Sequence, residues 1–291
     1  MLKKYKFPIS HKLISHLRDI DIRGIRKLSV VLPRVLLPDS TKIGQHILQT
    51  NHGFLMKIDP SKDTGVELSL FQTGTYEKGT LYFIASCLNR GDCFIDIGAN
   101  IGLMSIFASQ CVGNPGKILA FEAHPETHEL LLENIQLNKI ENIKTFNFAL
   151  GNETGKATIY DNWNVNRGGA SLVIHAENST GFEVDVKTLD EVIQNDFQPK
   201  MIKIDVEGFE FQVLKGATNT IKNCKPILII EFSVSRENQY DPFEMIDFIE
   251  SFGFYEIFKL SGTKERKSKL IQINSREEFP NHDNIFCIPK F

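Results

Sequence analysis

The chain has 291 residues, of which 42% are hydrophobic and 24% charged, and its net charge is −3. These values are ordinary for a globular protein, and the length suits one large α/β domain with an N-terminal extension. They leave no room for a membrane span, because no apolar run approaches the roughly 20 residues required. Nor is a secretory signal expected, since the basic start lacks an apolar core and a cleavage site.

Charge is unevenly spread. Residues 1–34 carry nine Lys/Arg (Lys3, Lys4, Lys6, Lys12, Arg18, Arg23, Arg26, Lys27, Arg34) against Asp19 and Asp21, leaving 24 basic and 34 acidic side chains in the remainder. Leu13, Ile14, Leu17 and Ile20 fall at helical spacing. A basic amphipathic segment of this kind can make weak peripheral contact with an anionic membrane surface, although docking on its own domain is the plainer reading. Residues 1–60 are therefore expected to form a basic, helical extension followed by a strand pair, and residues 61–291 the main domain. Five scattered cysteines (Cys87, Cys93, Cys111, Cys224, Cys287) form no C-x-x-C or Cys/His cluster. Neither a disulfide framework nor a zinc site is indicated, and buried thiols in a reducing, cytoplasmic setting are expected.

Gly53–Pro60 alternates like a strand, and Tyr76-Glu77 opens a helical run to Leu88. Phe94–Gly102 (F-I-D-I-G-A-N-I-G) then reads as an apolar strand, a carboxylate and a glycine turn that hands over to a helix. In open α/β sheets this is where nucleotide-like ligands bind. A dinucleotide fingerprint needs glycines at three fixed places; Gly98 fits, but Asn100 and Leu103 occupy the other two. Asp96 before the turn suits a cation better than a phosphate. S-adenosylmethionine, with a sulfonium, an ammonium and one carboxylate, matches that preference.

Lys117–Phe121 is a second strand ending at Glu122, near the ~20-residue offset at which an acid receives a ribose diol. Pro125 starts a helix that Asn138 ends, and Ile143–Ala149 is a third strand. Lys156–Tyr160 and Phe182–Val186 read as a strand pair around a polar loop, Asn164–Ser171, with His175 as a surface residue. Met201–Ile204 is a buried strand running into Asp205-Val206-Glu207-Gly208, and Pro226–Ile230 is another, ending at Glu231. A helix capped by Asp241-Pro242 follows. Phe254–Phe258 and Asn284–Ile288 are expected to pair antiparallel across a basic loop (Lys264, Arg266, Lys267, Lys269) read as a solvated face. The whole predicts a seven-stranded, mostly parallel sheet with helices on both faces.

Residues 53–232 resemble the FkbM-type methyltransferases of the S-adenosylmethionine-dependent, Rossmann-like class I superfamily. The matching segments are Gly74–Glu77, Phe94–Gly102, A-F-E-A-H-P from Ala120, Ala149–Asn152, T-L-D from Thr188, I-K-I-D-V-E-G-F-E from Ile202 and Val213–Ala217. The family commonly has E-P-x-P after the second strand, where this chain has Glu122-Ala123-His124-Pro125, so Ala123 stands at the first proline and no role is assumed for His124. The resemblance implies O-methyl transfer to a sugar, glycan or other small natural-product hydroxyl. It places Asp96, Gly98, Asn100 and Gly102 around the methionine portion of the cofactor, Glu122 on the ribose and Ala149 near the adenine, counts Ala99 and Ala123 among the cofactor-binding residues, and has Tyr76 and Glu77 closing the pocket.

Methyl transfer is an in-line displacement in which positioning matters most, and the acceptor hydroxyl must lose a proton. Asp205 is the first candidate base, Glu207 the second and Glu231 the third. Asp205 plus Glu231 could instead hold a divalent cation; the metal-free form is preferred. A nucleic-acid substrate is not expected, because the catalytic part is acidic and no N-P-P-Y-like motif follows the fourth strand. A non-catalytic binding module is disfavoured by the intact acids, an NAD-dependent oxidoreductase by the missing glycines. A homo-oligomer is compatible with the sequence.

Overall fold

In the computed structural model, the described residues are 37–160, 181–193, 197–234 and 240–290, together with 4–5, 13–14, 16–17 and 32. Along the chain, β1 (Lys4–Tyr5), β2 (His46–Gln49) and β3 (Leu55–Ile58) precede α1 (Val66–Thr73) and α2 (Lys78–Cys87). Next come β4 (Cys93–Ile97), α3 (Leu103–Val112), β5 (Lys117–Phe121), α4 (Pro125–Leu137), β6 (Ile143–Phe146) and β7 (Ala149–Leu150). β8 (Gly155–Tyr160), β9 (Gly181–Lys187), α5 (Leu189–Val192), β10 (Pro199–Ile204), α6 (Glu210–Lys215) and α7 (Thr218–Cys224) follow. The chain closes with β11 (Ile227–Ser233), α8 (Pro242–Glu250), β12 (Tyr255–Leu260), β13 (Leu270–Gln272) and β14 (His282–Pro289).

The main sheet runs β13-β12-β14-β11-β10-β4-β5-β6, with the last five strands parallel and the first three antiparallel. The chain leaves β4 towards β5 and β6, then returns to lay β10 on the other side of β4. That reversal makes the carboxyl ends of β4 and β10 the topological switch point, where an open α/β sheet leaves a crevice. The sequence predicts seven strands, and the sheet has eight. The added one, β13, is a three-residue edge strand beyond the basic loop, and its Leu270, Ile271 and Gln272 are half-buried or exposed. With no buried face it leaves no hydrophobic alternation to read. The expected third strand, Ile143–Ala149, is likewise two strands. β6 ends at Phe146, and Ala149–Leu150 passes into a separate sheet of order β7-β9-β8.

Both faces of the sheet are covered, and strand periodicity decides which side chains go where. Ile95, Ile97, Ile202, Ile204, Leu228 and Ile230 pack in one cluster with Phe211, Leu214, Met245 and Ile249 of α6 and α8. Phe94, Met201, Ile227, Ile229 and Phe286 point the other way, against Leu81 and Ile84 of α2 and Met104 and Ala108 of α3. A third cluster joins Leu48, Met56 and Ile58 of the N-terminal sheet to Ile106 of α3 and Leu130 and Leu131 of α4. The free edge of β3 is capped by Asn134 of α4 and by Asn138, which ends that helix: Leu55 and Lys57 donate their N–H groups to Asn138 Oδ1 (2.8 Å) and Asn134 Oδ1 (2.6 Å). That blunts an edge which would otherwise template pairing.

In the basic N-terminal segment, Ile14 is buried and Leu13 exposed. Apart from Lys4 in β1, the basic residues of that segment, and the loop Asn164–Ser171 with His175, lie outside the described residues. Among the described residues no helix is long and apolar enough to cross a membrane, and all five cysteines are free thiols.

Candidate active site

The crevice is lined by Gly65, Val66 and Tyr76, by the turn Ile97–Ile101, by Phe121–His124, by Phe148–Leu150, and by Lys203 and Asp205–Glu207 with Phe209 and Glu231. It therefore gathers most of the residues singled out from the sequence.

The turn after β4 is held from both neighbouring strands. Gly98 and Ala99 both donate to the Phe121 carbonyl, at 3.0 and 2.9 Å, and Asp205 N–H donates to the Ile97 carbonyl at 3.0 Å. Gly98 has φ +78°, and a Cβ there would lie 1.8 Å from the Asp205 carbonyl oxygen. The glycine is thus required twice, by its backbone conformation and by the approach of the next strand. Asn100 adopts φ 49° without being glycine, a strained conformation of the kind that collects at ligand sites. Gly102, also left-handed, packs under Leu131 and does not line the crevice.

Glu122 extends from the end of β5 with its carboxylate fixed by two backbone donors, Asn100 N–H to Oε2 (2.8 Å) and His124 N–H to Oε1 (2.9 Å). Burial nevertheless pushes its pKa up to about 7, against the pull of those two hydrogen bonds. His124 caps α4, accepting from Thr127 N–H at 3.4 Å, which gives it a place in construction.

Asp96 is fully buried and does not itself line the crevice. Ser105 Oγ donates to its Oδ2 at 2.5 Å, and Oδ1 has no hydrogen-bond partner. Burial raises its pKa to about 6, although Lys203 and Ser105 pull it down. An orphaned carboxylate oxygen behind the turn marks a place where positive charge or a donor is wanted.

Period-two alternation puts Asp96 (β4), Lys203 (β10), Glu231 (β11) and Asn284 (β14) on the same face of four adjacent strands. Lys203 registers with Asp96, and Glu231 with Asn284. Lys203 Nζ binds Asp205 Oδ2 at 2.7 Å. One carboxylate oxygen from each of Asp205, Glu207 and Glu231 falls within a 4.8 Å cluster. Burial would raise the Asp205 pKa, but the Lys203 and Lys264 ammoniums outweigh it and hold the group down to about 2. Glu207 goes the other way, pushed up to about 7 by burial and by the charges of Asp205 and Glu210. Glu231 is raised well above the usual range by burial and by Asp205. Glu207 also sits at φ 52°, a second strained non-glycine residue in the crevice.

Three residues that shape this end were not singled out from the sequence. Glu210 Oε1 accepts the N–H groups of Val206 and Gly208, both at 3.1 Å, and its Oε2 accepts from Tyr240 at 2.8 Å. It folds the Asp205–Gly208 loop. Lys203 interrupts the buried stretch Met201–Ile204 of β10, and a lone charge inside a buried run was the signal for a paired site. Lys264, read as part of a solvated face, is instead almost enclosed and bridges Glu231 and Glu77. Nothing local to a basic loop could have shown that. Glu77 has no exposed surface and lies behind Tyr76, off the crevice lining.

The sequence profile described as Methyltransferase FkbM domain matches residues 96–255. Among curated proteins, the hexuronic acid methyltransferase AglP of Haloferax volcanii is 28% identical over 157 residues, covering 53% of this chain and 61% of that protein. Methyltransferase sdnD of Sordaria araneosa is 28% identical over 153 residues, 42% of this chain and 59% of that protein. The chain thus spans about three fifths of the length of the curated relatives it matches. Among solved structures, the methyltransferase FkbM of Methylobacillus flagellatus KT aligns with TM-score 0.47 at 17% identity, covering 96% of this chain and 57% of that one. With the profile covering more than half of its length, this chain belongs to the FkbM methyltransferase family.

Proposed function

We propose that the chain is an S-adenosylmethionine-dependent O-methyltransferase acting on a hydroxyl of a sugar, glycan or other small natural product. The observation that carries this reading is the pairing, at the switch point, of a fixed diol-ready carboxylate (Glu122) with an unpartnered buried carboxylate oxygen (Asp96 Oδ1). That pair of acceptors fits a cationic nucleoside and opposes a pyrophosphate. When bound, S-adenosylmethionine supplies an electrophilic methyl group.

Glu122 receives the ribose hydroxyls, since each of its oxygens keeps a lone pair beyond the one its backbone donor occupies. Asp96 sets a negative field behind the turn. Phe148, Ala149, Leu150 and Phe209 offer apolar walls suited to a purine. At the acceptor end, Glu207 accepts the hydroxyl proton. A general base works best with a pKa near the operating pH, and Glu207 at about 7 meets that condition whereas Asp205 at about 2 does not. Asp205, held by Lys203, acts through its charge. The sugar direction is supported by the relative named for hexuronic acid methylation.

The test is transfer of an isotopically labelled methyl group from S-adenosylmethionine to a panel of glycosides and hydroxylated natural products, read by mass. A labelled methyl ether is expected, with turnover reduced roughly 10²–10⁴-fold in Glu207→Gln. Wild-type turnover in that variant would remove Glu207 from the mechanism.

A further inference from the structure

Lys264 is delivered to the acceptor end by a loop fixed at both of its backbone groups. Its N–H donates to Asp283 Oδ1 at 3.0 Å, and its carbonyl accepts from Gly79 N–H at 2.8 Å. Gly79 could not carry a side chain, because a Cβ would lie 2.3 Å from the Arg266 carbonyl oxygen. The start of α2 and the loop after β12 are therefore pressed together, and the lysine side chain has one direction to go. Its Nζ lies 2.6 Å from Glu231 Oε1 and 2.9 Å from Glu77 Oε1, with side-chain exposures of 13%, 7% and 0% for the three residues. The other Glu77 oxygen accepts from Asn284 Nδ2 at 2.9 Å. On the opposite side of the cluster Lys203, only 5% exposed, sits on Asp205.

Three converging carboxylates of this kind would ordinarily suit a divalent cation, which takes oxygen ligands of this type. Here two ammoniums already stand against two of the three. Buried carboxylates left without counter-charge are strongly disfavoured, and an ammonium is a compact point charge able to meet several oxygens at once. We infer that Lys264 is a positioning residue that serves as the built-in cation of the acceptor end, holding Glu231 and Glu77 in the role a divalent metal would otherwise fill. Glu231 is thereby drawn towards Lys264 and Asp205 towards Lys203, which fixes both carboxylates at the acceptor end beside Glu207. The turnover consequence rests on the methyltransferase reading; the ion-binding consequence does not.

The test is titration of the purified protein with Mn²⁺ alone, followed by electron paramagnetic resonance of the free ion, for wild type, Lys264→Gln, Lys264→Arg and the double variant Lys264→Gln/Glu231→Gln. S-adenosylmethionine calorimetry on each protein reports separately on the cofactor end. Wild type and Lys264→Arg are expected to show no saturable Mn²⁺ site. Lys264→Gln should gain a site that binds at least tenfold tighter than any residual wild-type uptake, and the double variant should lose it again. Should Lys264→Gln fail to fold, Lys264→Arg carries the decision, because it keeps the charge and must stay free of Mn²⁺. A saturable Mn²⁺ site in wild type, with turnover lost on adding a chelator, would overturn the inference. So would Lys264→Gln with unchanged ion uptake and an unchanged pH profile of turnover.

Discussion

At Glu122 two backbone N–H groups point at one carboxylate while burial works against its charge, leaving the pKa at about 7. A group poised there must be ionised to accept from both ribose hydroxyls, so binding of S-adenosylmethionine near neutral pH should release protons. Affinity should fall as pH drops through 7, approaching tenfold per pH unit well below it, and Glu122→Gln should flatten that dependence. Calorimetry in two buffers of different ionisation enthalpy checks both the proton release and its loss. Glu207, also at about 7, should add an acid limb to turnover that disappears in Glu207→Gln; the rate rises with pH because the base works deprotonated. The residues around the cofactor were legible because they follow one another along short stretches, with Asp96 before its turn and Glu122 one strand on. Lys264 was not, since its partner Glu77 lies across most of the chain; Lys203, paired with Asp205 two residues on, was marked only by being a charge in a buried run.

Several family segments turn out to serve construction. Asp190, in the T-L-D stretch, accepts from the N–H groups of Asn219 and Thr220, both at 2.8 Å, and ties α5 to α7. Gly216, in the V-L-K-G-A stretch, packs so closely that a Cβ would lie 1.9 Å from the Gly151 carbonyl oxygen. Gly216→Ala should therefore cost about 2–4 kcal/mol, a drop of roughly 3–7 °C in thermal midpoint for a chain of this size. Because Gly216 does not line the crevice, S-adenosylmethionine affinity of the folded fraction should be unchanged, which calorimetry below the new midpoint reads directly. At this scale the sequence revealed strands with a buried face and helices with a cap, such as Asp241-Pro242, whose side chain accepts from Phe243 N–H at 2.9 Å. It hid β13, which has no buried face, and the break at Phe146, where the aromatic run Phe146–Phe148 continues the apolar pattern across a change of sheet.

Over the whole molecule, the crevice concentrates carboxylates whose protonation is coupled to folding. Asp96 and Glu122 have folded pKa values of about 6 and 7, above their ordinary 3.8 and 4.5. The stability they contribute is complete below about pH 4 and is lost as pH rises through 6 to 7. Asp205, depressed to about 2, contributes in the opposite sense, fully above pH 4 and progressively less below it. The ligand-free protein should accordingly be most stable near pH 4, with thermal melts from pH 3 to 8 showing a decline on both sides. A cationic ligand should lessen the decline at the neutral side by supplying charge where Asp96 and Glu122 ionise. The measurement that bears most directly on the central claim is calorimetric titration of the wild-type chain and Glu122→Ala with S-adenosylmethionine at pH 7.5. A single saturable site in wild type, weakened at least tenfold in the variant, is the predicted result; no saturable heat with wild type, or equal affinity in the two proteins, would contradict it.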